Sequence, residues 1–112
     1  MSSRDIEWSL KEKKIARRAF DAALEETLAK TMAEFKRRAN EAATPDEMWA
    51  VEDYLRQRRK EIDATFDYRY SQLLFVFARL IQDGSLDEAR LAGLAEEKAK
   101  LIRSYRRLAE RD

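Results

Sequence analysis

The sequence of 112 residues contains no cysteine and no histidine, and it has only 2 glycines and 1 proline. The first two absences exclude disulfides, thiolate chemistry, Cys or His metal sites and catalytic triads built on imidazole. Because hairpins need turn residues, the scarcity of Gly and Pro argues against a sheet protein. Neither charge dominates, since 23 basic and 22 acidic residues give a net charge of +1. We therefore expect no general attraction to nucleic acid or to an anionic membrane.

The sequence also lacks a long hydrophobic run. The longest apolar stretch, Leu73 to Ala78, is far shorter than the roughly 18 residues of a membrane-spanning helix. The N-terminal residues 1–5 do not show the charged-then-apolar layout of a secretory signal. These observations predict a soluble, cytoplasmic protein with no membrane span.

What the chain does contain is typical of helices: 40% of its residues are charged and 45% are apolar. Thr44 followed by Pro45 is a helix-start signal, and Gly84 can end a helix in the left-handed conformation. Gly93 marks a candidate break, because glycine weakens a helix interior by about 1 kcal/mol. We predict one all-α domain over residues 1–112, built from helical segments 5–42, 45–82 and 86–110.

The second helical segment is apolar on every side over Leu73 to Phe77, so it must be buried on every side. A three-helix chain of this length rarely surrounds one of its own helices. We therefore predict a homodimer with two-fold symmetry that forms through the C-terminal half. The alternative is that the third segment folds back and covers the run alone. A first helix of roughly 55 Å predicts that the molecule is either elongated or built from bent helices, since a compact domain of this size has a radius of gyration near 13 Å.

The available chemistry gives little support for an enzyme. Carboxylate pairs such as Glu96 and Glu97 lie among Lys and Arg, as on a solvated helix face. A carboxylate di-metal site in a helical bundle normally includes histidine, which is absent, and no Gly-rich phosphate loop is present. A basic run at residues 56–60 lies beside Tyr54, which could stack on bases, but acidic residues flank it. We interpret the run as a charge-paired surface and not as a nucleic-acid site.

One face of the second segment combines a large aromatic residue with charges of both signs. Helical spacing places these residues together: Trp49, Glu52, Asp53, Arg56 and Lys60. Arg59 lies at the edge of this face. Because Trp and Arg are frequent anchors of protein contacts, the face is a candidate binding surface. The alternative is that Trp49 is a core residue packed under the first helix, with Asp53 and Arg59 paired on the surface.

The same region carries a resemblance to a known family. Residues 46–63, which read DEMWAVEDYLRQRRKEID, resemble the fluorescence recovery protein family of cyanobacteria, and so does the run FVFARL at residues 75–80, followed by Gly84. Trp8 and Phe20 resemble the first helix of the family more faintly. The likeness covers residues 8 to 103 and is specific, because the Trp-x-x-x-Asp-x-x-x-x-x-Arg spacing and the Phe-Val-Phe segment occur together and in order.

The resemblance implies an all-helical dimer that binds the light-activated form of the orange carotenoid protein. Such a regulator speeds the return of that photoreceptor to its resting form and ends quenching of the light-harvesting antenna, without a cofactor of its own. The implied partner-binding residues are Trp49, Asp53, Arg59 and Phe75. Glu52 belongs to the same contact, at a position where the family often has His. A second departure is Leu101, where the family has Lys. The alternative function is an adaptor for another client, in an organism without the photoreceptor.

Overall fold

The computed structural model describes residues 6–110, which form four α-helices and one short 3-10 helix, with no strand among them. The α-helices are α1 (Leu10–Glu41), α2 (Pro45–Thr65), α3 (Leu73–Gln82) and α4 (Glu96–Glu110), and the 3-10 helix is Glu88–Leu91. The all-α prediction is confirmed. The start of the predicted first segment, at residue 5, lies outside the described residues.

The two long helices begin where local hydrogen bonds satisfy their free backbone N–H groups. Ser9 caps α1 through a capping box with Glu12, in which each side chain accepts from the backbone N–H of the other. Thr44 caps α2 in a similar way by accepting from the N–H of Glu47, and Pro45 occupies the first turn. The boundary near residue 44 was therefore readable from sequence.

The prediction of one continuous helix over 45–82 is wrong, because α2 ends at Thr65 and α3 starts only at Leu73. The rings of Phe66 and Tyr68 pack edge-on against Phe20, with centroids 5.3 and 4.9 Å away. Edge-to-face packing of this kind adds to the energy of burial. The side chain of Asp67 accepts a hydrogen bond from the backbone N–H of Arg69, which offers the backbone an alternative to the helical ladder.

The predicted third segment is also interrupted, as the glycine near its middle indicated. The 3-10 helix stops at Leu91, and Gly93 has a φ of +103° before α4 begins. Such a φ is unfavourable for residues with a Cβ atom. Gly84 likewise has a positive φ, of +77°, just after α3. Both glycines therefore permit the turns that fold α4 back onto α3.

The molecule divides into a compact end and a long projection. We call residues 6–23 and 66–110 the head, because the buried apolar side chains all lie there. Residues 24–65, which comprise the rest of α1 and the antiparallel α2, form the stalk, and α2 contains no buried residue. The dimensions of 57 × 28 × 20 Å and the radius of gyration of 17.0 Å show that, of the two predicted alternatives, the molecule is elongated.

The packing of the head accounts for the apolar run Leu73 to Phe77, on which the dimer prediction was based. Four of its five residues are buried within one chain, where α3 packs against α4 and α1, and only Phe75 remains half exposed. The inference that the run needs a second copy to cover it was therefore wrong. The alternative prediction, that the third segment folds back and covers the run, accounts for most of the burial of these five residues. A homodimer stays a prediction that needs separate support.

Candidate functional site

The stalk presents Trp49 to solvent. This side chain lies in the second turn of α2 and is 56% exposed, so the alternative in which Trp49 is a core residue under the first helix is wrong. Asp53 follows one turn later on the same side of the helix and is also exposed. Large exposed aromatic residues are costly to hydrate and frequently anchor protein contacts. The two residues thus form an accessible aromatic and acidic surface.

The charges around Trp49 pair along the helix, but not as the alternative interpretation supposed. Glu52 accepts from Arg56 at 3.0 Å, and Arg59 lies 4.0 Å from Asp63, both at i,i+4 spacing. The side chain of Asp53 has no hydrogen-bond or ion-pair partner within residues 6–110. The proposed surface pair between Asp53 and Arg59 is therefore not formed. Exposed pairs of this kind contribute at most about 1 kcal/mol, so both arginines could exchange partners on binding.

The two helices of the stalk are joined by a hydrogen bond and by a cation–π contact. Arg58 donates to the hydroxyl of Thr31 at 3.2 Å, and the guanidinium of Arg38 lies 4.1 Å from the centroid of the Tyr54 ring. Arg38 also donates to Glu34, at 2.6 Å. Hydrogen bonds from Arg37 and from Arg38 lower the pKa of Glu34 from 4.5 to about 2. Tyr54 is therefore engaged by α1, and the basic run around it is largely paired with acids.

Phe75 belongs to the other end of the molecule. It projects from the first turn of α3 in the head, is 50% exposed, and stacks on Tyr105 of α4 with ring centroids 4.0 Å apart. The other four predicted partner-binding residues (Trp49, Glu52, Asp53 and Arg59) all lie on α2 in the stalk. The structure therefore separates the predicted site into a stalk surface and a head surface.

The head surface includes residues that sequence reasoning did not select. Beside Phe75 lies a groove of about 310 Å³, and its lining side chains carry no formal charge: Ile6, Tyr70, Ser71, Gln72, Leu74, Phe75 and Tyr105. Only Phe75 of this set was among the predicted partner-binding residues. Because three separate segments form the groove, no local pattern in the sequence indicates it.

Between residues 6 and 110 no group of three or more acidic residues is arranged to hold a metal ion. No helix in the same range is both long enough and apolar enough to cross a membrane.

Comparisons with known proteins agree with this architecture. A sequence model of the family described as "Photoprotection regulator fluorescence recovery protein" matches residues 8–105. The fluorescence recovery protein of Synechocystis sp. is 31% identical over 108 residues, which is 96% of this chain and 99% of that protein.

Solved structures agree as well. The fluorescence recovery protein of Fremyella diplosiphon has a TM-score of 0.86 and 35% identity over 90% of this chain and 99% of that one. A structure of the Synechocystis sp. protein gives the same TM-score at 32% identity, with the same coverage of both chains. The chain described here therefore belongs to the fluorescence recovery protein family of photoprotection regulators.

Proposed function

We propose that this protein is a non-enzymatic regulator that binds the light-activated orange carotenoid protein and accelerates its return to the resting form. Family membership over residues 8–105 is the observation that carries the proposal. The exposure of Trp49, Asp53 and Phe75 supports it, because side chains that contact a partner must be accessible before binding. The protein would need no cofactor, and it would work in the cytoplasm.

The two separated surfaces suggest how a binder can accelerate a conformational return. A long stalk and a head could contact two domains of the partner and hold them close, so that their re-docking becomes effectively intramolecular. The regulator must not bind the activated form too selectively, since preferential binding alone would stabilise that form. The transient complex would then dissociate once the resting form is restored.

Homodimerisation is part of the proposal, and the stalk supports it better than the C-terminal half does. Leu28 and Met32 of α1 and Met48 of α2 are each about half exposed, and Leu55 and Ile62 are only partly buried. A two-helix hairpin with such an apolar stripe cannot bury it alone. Two hairpins related by a two-fold axis would cover the stripe as a four-helix arrangement.

The test is recovery of the photoreceptor in the dark. Light-activated orange carotenoid protein mixed with this protein should return to the resting form faster than without it. Asp53 and Arg59 are exposed charges of the proposed contact. Charges at the edge of an interface mainly set the association rate, and salt at 0.1 M screens them beyond about 10 Å. The acceleration of recovery should therefore shrink as the salt concentration rises. Recovery traces that overlay the protein-free control at saturating concentration, across several partner homologues, would reject the proposal.

A second candidate is an adaptor of the same fold that serves another client. Glu52, at a position where the resembled family often has His, favours this candidate because it places a negative charge inside the proposed contact. Its ion pair with Arg56 at 3.0 Å partly neutralises that charge. The substitution Glu52→His should strengthen binding to the photoreceptor if the charge matters. No binding by either form would favour the adaptor.

A further inference from the structure

A short segment precedes α1 and packs across the head. We call residues 6–9 the strap, which ends at the capping residue Ser9. Ile6 packs against the core and lines the uncharged groove beside Phe75. The ring of Trp8 lies 5.6 Å from that of Tyr70, another residue of this groove. The strap therefore forms part of the wall of the head surface.

A buried ion pair holds the strap in place. Lys98 of α4 donates to the carbonyl oxygen of Glu7 at 2.7 Å and to Glu12 at 3.2 Å, and its ammonium lies 5.1 Å from the centroid of the Trp8 ring. Glu12 uses its other carboxylate oxygen to accept from the backbone N–H of Ala95 at 2.9 Å. Strap, α1 and α4 therefore meet at this one pair of charges.

This pair differs from the other ion pairs of the described chain. Glu12 and Lys98 are both buried, whereas the remaining pairs lie at the surface or half exposed. A buried ion pair adds little net stability, because the loss of hydration of the two charges offsets most of their attraction. Its better-supported role is to select one geometry of the groups around it. Here the geometry that the pair specifies is the path of the strap.

We infer that Glu12 and Lys98 are positioning residues, which fix the strap so that Ile6 completes a groove for an uncharged segment of the client protein. This inference rests on the proposed function and adds the strap to its binding surface. Although 40% of the sequence is charged, no charged side chain of residues 6–110 lines the groove beside Phe75. Because a charged segment would lose hydration there without gaining a counter-ion from the lining residues, the groove fits an uncharged segment. Ile6 and Leu74 offer such a segment apolar contacts, and Gln72 offers it hydrogen bonds.

The experiment replaces the ion pair by uncharged residues of similar size, as Glu12→Gln with Lys98→Met. Removing both charges avoids leaving one of them buried and unpaired. The control is Glu26→Gln with Lys30→Met, which removes an exposed i,i+4 pair of α1 at 3.5 Å. For the quenching measurements alone, all the proteins compared also carry Trp49→Phe, so that tryptophan fluorescence reports only Trp8. Trp49 is retained wherever client affinity is measured.

Two measurements separate the inference from the proposed function. Acrylamide quenching of Trp8 needs no client and should rise at least twofold in the Glu12/Lys98 variant only. Affinity for the light-activated carotenoid protein should fall about tenfold in that variant and remain unchanged in the control. Unaltered quenching, or a released strap with unaltered affinity, would overturn the inference while leaving the proposed function standing.

A second variant covers the case in which the first does not fold. Ile6→Ser leaves the ion pair intact and removes the apolar side chain from the groove wall. It should weaken client binding several-fold without changing Trp8 quenching. Wild-type affinity in Ile6→Ser would overturn the inference. Absence of client binding by the unsubstituted protein would instead reject the proposed function, and with it the groove's role for this client.

Discussion

The ring of Phe75 is stacked on the ring of Tyr105, with 4.0 Å between the centroids and 23° between the planes. Phe75 is 50% exposed, whereas Phe77, two residues later on the same helix, is fully buried. The stack joins α3 to α4 at the surface and keeps an aromatic face accessible. One short helix thus carries a candidate contact residue and a core residue of the same type.

This contrast predicts opposite effects for the two phenylalanines. Phe77→Ala leaves a cavity in the core and should lower the free energy of unfolding by about 3–5 kcal/mol. Phe75→Ala removes a half-exposed ring and its stack, and should cost about 1 kcal/mol. Thermal unfolding measures both costs. Client binding should fall at least tenfold in Phe75→Ala at temperatures where it is folded, and wild-type affinity there would remove Phe75 from the site.

The two tryptophans provide a second matched pair. Trp49→Leu should leave helicity and melting temperature nearly unchanged, because the side chain is 56% exposed, while client binding weakens. Trp8→Leu should lower the free energy of unfolding by about 1–3 kcal/mol, since Trp8 packs against the core of the head. Circular dichroism melts and binding titrations compare the variants. A large melting loss in Trp49→Leu with unchanged affinity would show a structural role instead.

The stalk stripe predicts where a charge should disrupt the proposed dimer. Met32→Glu places a carboxylate in the apolar stripe of α1 and should raise the dimer dissociation constant at least tenfold. Leu108→Glu makes the same type of change at an exposed residue of α4 in the head and should leave the dimer intact. Light scattering at several concentrations measures both. If Leu108→Glu dissociates the dimer and Met32→Glu does not, the interface lies in the C-terminal half and not in the stalk.

The buried ion pair predicts a pH dependence of stability. Burial by itself raises the pKa of Glu12. Hydrogen bonds from the backbone N–H groups of Ala95 and Ser9 and the charge of Lys98 have a larger, opposite effect. Together these influences lower the pKa of Glu12 from 4.5 to about 2. A depressed acid pKa stabilises the fold above the unfolded pKa, and this contribution disappears as the pH falls from about 5 to 2. The lost contribution is about 2–3 kcal/mol.

Comparison with an uncharged variant isolates this contribution. Glu12→Gln should be less stable than the unsubstituted protein at pH 7, and the difference should shrink towards pH 2. The control Glu26→Gln alters an exposed pair and should give a small difference at every pH. Denaturant unfolding at a series of pH values measures both differences. A constant gap between Glu12→Gln and the unsubstituted protein would contradict the assigned pKa.

The two glycines of the head predict unequal responses to alanine. At Gly93 an added Cβ atom would lie 2.7 Å from Cδ1 of Ile15, and its φ is +103°. At Gly84 the φ is +77°, and apart from its chain neighbours no heavy atom of residues 6–110 would lie within 4 Å of an added Cβ atom. Gly84→Ala should therefore cost about 1 kcal/mol and Gly93→Ala about 2–3 kcal/mol. Equal melting temperatures of the two variants would show that Ile15 rotates away without cost.

The sequence by itself determined the helical class, the boundary at Thr44 and the turns at Gly84 and Gly93. Each of these rests on composition or on hydrogen bonds and dihedral angles within a few residues of the chain. The motifs at residues 46–63 and 75–80 also indicated the family, which the comparisons confirmed. The sequence could not show that Trp49 is exposed, because a residue on one helix face fits core and surface equally well.

Only the tertiary structure decided which neighbours each side chain meets. The end of α2 at Thr65 depends on contacts of Phe66 and Tyr68 with Phe20, which is more than forty residues away in the chain. The cover over α3 comes from α4 folding back, and the Glu12–Lys98 pair joins residues 86 positions apart. Helical periodicity describes one helix at a time. Contacts of this kind arise from packing between helices, so no local pattern encodes them.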